Sequence, residues 1–213
     1  MKKLSAEFLG TAFLVAAVIG SGIMGERLAG GNIAIALLAN TLATGAALVA
    51  LILAFGDLSG AHFNPAVTVA VALRGLMPWR QVAPYAAAQI SGGCLGTVTA
   101  HAMFELPLFM TSRHARFGPA QWLAEFVATF GLLTVIWGCG RQRPSAIPFA
   151  VAAYISAAYW FTSSTSFANP AVTIARGFTD TFAGIRPVDA PVFIVCQLLG
   201  AVAATLWFKW AAS

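Results

Sequence analysis

Long apolar runs separated by short polar breaks fill this chain. Six of them, roughly residues 4–24, 33–55, 81–104, 119–139, 145–162 and 189–210, approach the length that crosses a bilayer, which takes about 20 mostly apolar residues. Two further apolar stretches, 64–74 and 169–178, are too short to cross. At about ten residues each they reach about 15 Å as helices, half of a hydrocarbon core of about 30 Å. Both begin with the same five residues, Asn64-Pro65-Ala66-Val67-Thr68 and Asn169-Pro170-Ala171-Val172-Thr173. Asparagine caps helix N-termini and proline fits the first helical turn, so both pentads predict the start of a short helix.

The repeat extends past the pentads. Ala6-Glu7-Phe8 in the first run recurs as Ala124-Glu125-Phe126 in the fourth, and Gln89 in the third has its counterpart in Gln197 in the sixth. Each half therefore reads as a glutamate span, a plain span, an Asn-Pro-Ala half-helix and a glutamine span. Three spans per half send the second half into the membrane upside down relative to the first, which makes an inverted repeat. The expected organisation is one membrane domain over residues 1–213, with halves at about 1–105 and 119–213 and a polar linker at 105–118. The expected fold class is all-α: six transmembrane helices plus two re-entrant half-helices.

Composition agrees with a lipid environment. The chain is 59% hydrophobic and 9% charged, whereas a soluble domain carries about 25% charged residues. The formal charge of +5 is no nucleic-acid signal, because the basic residues are scattered and no run exceeds Lys2-Lys3. Met1-Lys2-Lys3 opens like a signal peptide, but the apolar run continues to about Met24 through Glu7 without a clear cleavage site, so it reads as a first span. With the N-terminus inside, seven Lys and Arg fall on the inner side and five on the outer, a mild preference for cytoplasmic termini. Cys94, Cys139 and Cys196 have no metal-ligand spacing and read as packing residues. No metal or cofactor is expected.

The chemistry implied by the half-helices is electrostatic. Irregular backbone survives at membrane depth only where protein buries it or a wet cavity receives it. Two half-helices meeting by their N-termini would gather free N–H groups and positive dipole ends at one point. Asn64 and Asn169 could each offer a side-chain NH₂ to a passing oxygen, and such a place repels cations.

With these residues in hand, the chain resembles the aquaporin, or major intrinsic protein, family over nearly its whole length. Gly60-Ala61-His62-Phe63-Asn64-Pro65-Ala66-Val67-Thr68 is similar to that family's first signature, and Asn169-Pro170-Ala171 to its second. The resemblance implies an aquaporin-like channel, a homotetramer with one pore per subunit, in the cell (inner) membrane. It implies that Glu7 and Glu125 bond the backbone of the half-helix loops, and that His62 braces its loop. Most members place an arginine after the second Asn-Pro-Ala; here Val172 stands there, and Arg176 one turn later is not given the role. Spacing from the pentads, read through the resemblance, puts the other constriction positions at Thr44, Ala157 and Ser166. Four small or medium side chains imply an opening wider than that of water-selective members.

The partners then expected are membrane lipid and small uncharged polar solutes: water, glycerol-like polyols and, through similarity to bacterial members with an Asn-Pro-Ala-Val motif, arsenous acid. A water-selective channel and an ion-coupled secondary transporter remain as alternatives. A membrane enzyme is disfavoured, since no catalytic triad, zinc motif or phosphate loop is present.

Overall fold

The computed structural model describes residues 1–211. Eight α-helices occur among them: α1 (Lys2–Leu28), α2 (Ile33–Ser59), α3 (Pro65–Leu73), α4 (Val82–Met103), α5 (Pro119–Gln142), α6 (Ile147–Phe161), α7 (Pro170–Arg176) and α8 (Ala190–Ala211). α1, α2 and α5 extend three or four residues beyond the C-terminal ends of their apolar runs, whereas α4 and α6 lie within theirs. Asn32 accepts hydrogen bonds from the N–H groups of Ala34 and Ile35 to open α2, and Gly60, at φ +93°, closes it in the left-handed conformation. Proline occupies the first turn of α3, α5 and α7.

α1, α2, α5 and α8 are long and apolar enough to cross a membrane on their own. α6 is shorter, at 15 residues, and extends through a 3₁₀ turn at Pro144–Ala146. Large apolar side chains such as Phe13, Leu42, Leu53, Leu123, Phe149 and Leu206 are exposed. Helices greasy on their outward faces require lipid there.

The bundle is assembled twice by the same rules. α1 packs on α2 and α4, α5 packs on α6 and α8, and α2 meets α6 across the halves. The α1–α4 crossing is close because Gly92 lies against the backbone of Phe8; its counterpart Gly200 lies against the backbone of Phe126 where α8 crosses α5. Small residues let helices approach where lipid supplies no hydrophobic drive for association. The half-helices then bind the halves together: both α3 and α7 pack against α4 and α8. The linker 105–118 lies along the loop after α7, tied by Ser112 N–H to the Gly177 carbonyl (3.0 Å) and by Arg186 N–H to the His114 carbonyl (2.8 Å).

Candidate functional site

The two Asn-Pro-Ala turns meet head to head and exchange hydrogen bonds. Asn64 caps α3 by accepting from Ala66 N–H (2.9 Å), and Asn169 caps α7 by accepting from Ala171 (3.0 Å) and Val172 (3.3 Å). Each side-chain amide then reaches across: Asn64 Nδ2 donates to the Ala168 carbonyl (2.7 Å) and Asn169 Nδ2 to the Phe63 carbonyl (2.8 Å). An asparagine NH₂ has two hydrogens. One fixes the opposite loop, and the other remains for the cavity that both residues line.

The loops before the turns are strained in the same way. Ala61 and Phe63 in the first, and Ser166 and Ala168 in the second, have φ between +47° and +51°. Non-glycine residues rarely adopt this region, which costs of order 1–3 kcal/mol each. Two fully buried carboxylates hold the conformation. Glu7 accepts from Ser59 Oγ (2.6 Å), His62 N–H (3.0 Å), Phe63 N–H (2.7 Å) and Gln89 Nε2 (2.7 Å). Glu125 accepts from Phe167 N–H (2.9 Å), Ala168 N–H (2.9 Å) and Gln197 Nε2 (2.6 Å). Gln89 and Gln197 also donate to Thr68 and Thr173, the last residues of the two pentads.

His62 joins this network through Nδ1, 3.1 Å from Thr68 Oγ1. The Thr68 hydroxyl hydrogen is spent on the Asn64 carbonyl. Nδ1 is therefore the donor, leaving the Nε2 lone pair free.

A cavity of about 200 Å³ runs past both asparagines. Its walls come from stripes at four-residue spacing, one helical face each: Thr44, Leu48 and Ile52 on α2; Val67 and Val71 on α3; Ile147, Val151, Ile155 and Tyr159 on α6; Val172 and Arg176 on α7. The α3 end is apolar along its helix stripes, and His62 also lines the cavity there. The α7 end carries hydroxyls: the Tyr159 O–H donates to Thr44 Oγ1 (3.3 Å), and the Ser166 hydroxyl is buried with no partner.

Thr44, Ser166 and Val172 thus line the cavity with Asn64 and Asn169, but Ala157 does not. It is exposed on another face of α6, two residues out of step with the stripe Ile147-Val151-Ile155-Tyr159. Counting along a sequence could not reveal how α6 is rotated. Tyr159 lines the cavity from α6, so this end is not walled by four small side chains. Arg176 and Phe167 also line it and were not among the sequence candidates. The stripe on α6 and the four-residue step from Val172 to Arg176 were the available signals.

Charge gathers beside the same end. The guanidiniums of Arg176 and Arg116 both lie over the Phe167 ring, at 3.4 and 4.9 Å from its centroid. Arg176 Nε donates to the Ala183 carbonyl; Arg116 donates to the carbonyls of Gly184 (2.8 Å) and Ser164 (3.1 Å). Burial pulls the pKa of Arg116 down to about 10, so it is still a cation at neutral pH. Outside these two, Arg113 pairs with Asp180 (2.7 Å) and Arg186 with Asp189 (2.9 Å).

A helical bundle with apolar outer faces, two opposed half-helices and a cavity past their junction defines a membrane-embedded conduit. The sequence matches the family model described as Major intrinsic protein over residues 1–145. It is 55% identical over 205 residues to aquaglyceroporin AqpS of Rhizobium meliloti (strain 1021), covering 96% of this chain and 88% of that protein. It is 34% identical over 210 residues to aquaporin NIP1-3 of Oryza sativa subsp. japonica, covering 95% and 71% respectively. The fold superposes on the X-ray structure of the aquaglyceroporin from Plasmodium falciparum with a TM-score of 0.73, at 20% identity, over 97% of this chain and 94% of that one. This chain is an integral membrane protein and belongs to the major intrinsic protein family.

Proposed function

We propose that the protein is a passive channel for small uncharged polar solutes, water and glycerol-like polyols among them, and is not an enzyme. The observation that carries this reading is the cavity that passes both Asn-Pro-Ala turns, with apolar stripes along its walls. A polyol has a hydroxyl edge and a carbon edge. Thr44, Tyr159 and Ser166 suit the first, while Val172 and Leu48 suit the second. At the midpoint, the free hydrogens of Asn64 and Asn169 orient a passing oxygen, with Pro65-Ala66 and Pro170-Ala171 setting the turns. Glu7, Glu125 and His62 brace the loops.

Arsenous acid, a neutral trihydroxy species, belongs to the same chemical class of cargo. Family membership and the seven-to-five distribution of basic residues support a homotetramer in the inner membrane, with lipid around it and both termini cytoplasmic.

Stopped-flow light scattering on proteoliposomes tests the reading. Water, glycerol and arsenous acid should each equilibrate faster than in protein-free vesicles, without saturating. Fast water with glycerol and arsenous acid excluded would replace the proposal with a water-selective channel. Saturable flux that needs an ion gradient would replace it with a coupled carrier.

A further inference from the structure

Val172 leaves an apolar side chain where an arginine most often follows the second Asn-Pro-Ala in this family. Arg176, one turn further along α7, falls on the same stripe and lines the same cavity. It is 2% exposed, so its surroundings are protein and cavity rather than bulk solvent. We propose that Arg176 is the specificity-determining cation of this pore, supplying from one turn further out the fixed positive charge that Val172 lacks. The assignment rests on the channel reading above.

Three observations support it. First, the side chain is held in a built bracket. Its Nε donates to the Ala183 carbonyl, its guanidinium lies over Phe167, and its own carbonyl accepts from Ile185 N–H (3.2 Å). With Nε committed to the loop, the two terminal nitrogens remain as donors for a solute oxygen.

Second, the charge is not cancelled by an ion pair. Among the described residues the only ion pairs are Arg113–Asp180 and Arg186–Asp189. The aspartates at this end of the molecule are thus taken by other arginines. Glu125, the buried carboxylate of this half, spends its oxygens on Phe167 N–H, Ala168 N–H and Gln197.

Third, the charge is reinforced. Arg116 from the linker lies over the same ring and bonds the carbonyl next to the one that Arg176 uses. Two guanidiniums beside one aromatic ring, against a single bracing carboxylate, make this end of the cavity electropositive. A neutral polyol meets donors there; a hydrated proton or a small cation meets repulsion.

Proteoliposomes of the full chain test the assignment with two readouts. Neutral flux is followed by light scattering. Proton and guanidinium-ion entry is followed under an imposed gradient, the proton with an entrapped pH dye and valinomycin-clamped potential. Wild-type vesicles should conduct glycerol while admitting protons no faster than protein-free vesicles. In Arg176→Gln the ratio of proton and guanidinium permeability to glycerol permeability should rise by about tenfold, the effect of one partly screened charge. Arg176→Lys, which keeps the charge, should keep the wild-type ratio.

Wild-type vesicles that pass protons along with glycerol would overturn the assignment without any variant. So would an unchanged ratio in a glycerol-conducting Arg176→Gln, or an Arg176→Lys as leaky as Arg176→Gln. Wild-type vesicles closed to both water and glycerol would instead overturn the channel reading itself.

Discussion

Replacing Glu125 by glutamine tests how the strained second loop is held. The carboxylate receives three donors, two from the backbone of Phe167 and Ala168 and one from Gln197. Glutamine has nearly the same shape but presents an NH₂ where one carboxylate oxygen stood. At least one buried donor then faces another donor, and the remaining bonds lose their charge assistance. A buried unpaired donor costs about 1–3 kcal/mol, and a bond to a charged group contributes about 1.5–3 kcal/mol. Relief of the buried charge returns part of this, leaving a net destabilisation of about 2–4 kcal/mol. For a chain of this length that is a fall in melting temperature of roughly 5–15 °C.

Glu7→Gln should fall within about 1 kcal/mol of it. Glu7 has a fourth donor, but that donor is the Ser59 hydroxyl, which can rotate to another acceptor. Thermal unfolding in detergent, followed by near-ultraviolet circular dichroism, reads both variants. Glycerol flux in proteoliposomes should fall with them, because the loops carry Asn64 and Asn169 into place. Melting of either variant within about 2 °C of wild type would refute the argument that these carboxylates hold the loops.

Val172→Arg adds a second guanidinium to the stripe that holds Arg176; glycerol flux should drop by about tenfold and water flux by less than about threefold, and equal losses by stopped flow would contradict the placement of Val172 in the pore. A Cβ on Gly200 would come within 2.5 Å of the Phe126 carbonyl oxygen, so Gly200→Ala should lower stability by about 1–3 kcal/mol. Gly56, with nothing within 4 Å of such a Cβ, should gain about 0.5–1 kcal/mol as alanine, so thermal melts of the two should move in opposite directions. The pKa of His114 is lowered by partial desolvation of its ring and then by the charges of Arg116 and Arg176, against the pull of Asp180. A base with a depressed folded pKa contributes full stability above its ordinary value of about 6.5 and loses it as pH falls through the folded value. Amide exchange over 112–116, corrected for intrinsic rates, should therefore rise as the pH falls below about 6.5, and His114→Gln should abolish that rise.

Lipid makes most of this fold legible from the chain. A membrane span must be long, apolar and internally hydrogen-bonded, so its presence shows as a run of residues. The half-helices show because a ten-residue apolar run cannot cross, and the paired pentads show because their caps are local chemistry. Glu7 and Glu125 stood out because a carboxylate inside a span needs donors, and matching positions in two halves make a shared environment the simplest account.

Rotation of each helix about its axis is another matter, because lipid and cavity both accept apolar side chains. The chain alone does not say whether Ala157 or Tyr159 faces inward. Only the packing of α6 against α2 and α5 turns Tyr159 to the cavity and Ala157 away from it. The crossed bonds from Asn64 to Ala168 and from Asn169 to Phe63 likewise span more than a hundred residues, and no local pattern encodes them. Arg176 shows the same division. Its four-residue step from Val172 was visible, but Phe167, Ala183 and Arg116 reach it only when the linker and the loop after α7 fold over the end of the bundle. Tertiary structure decides what surrounds a charge, and those surroundings make Arg176 part of the pore wall.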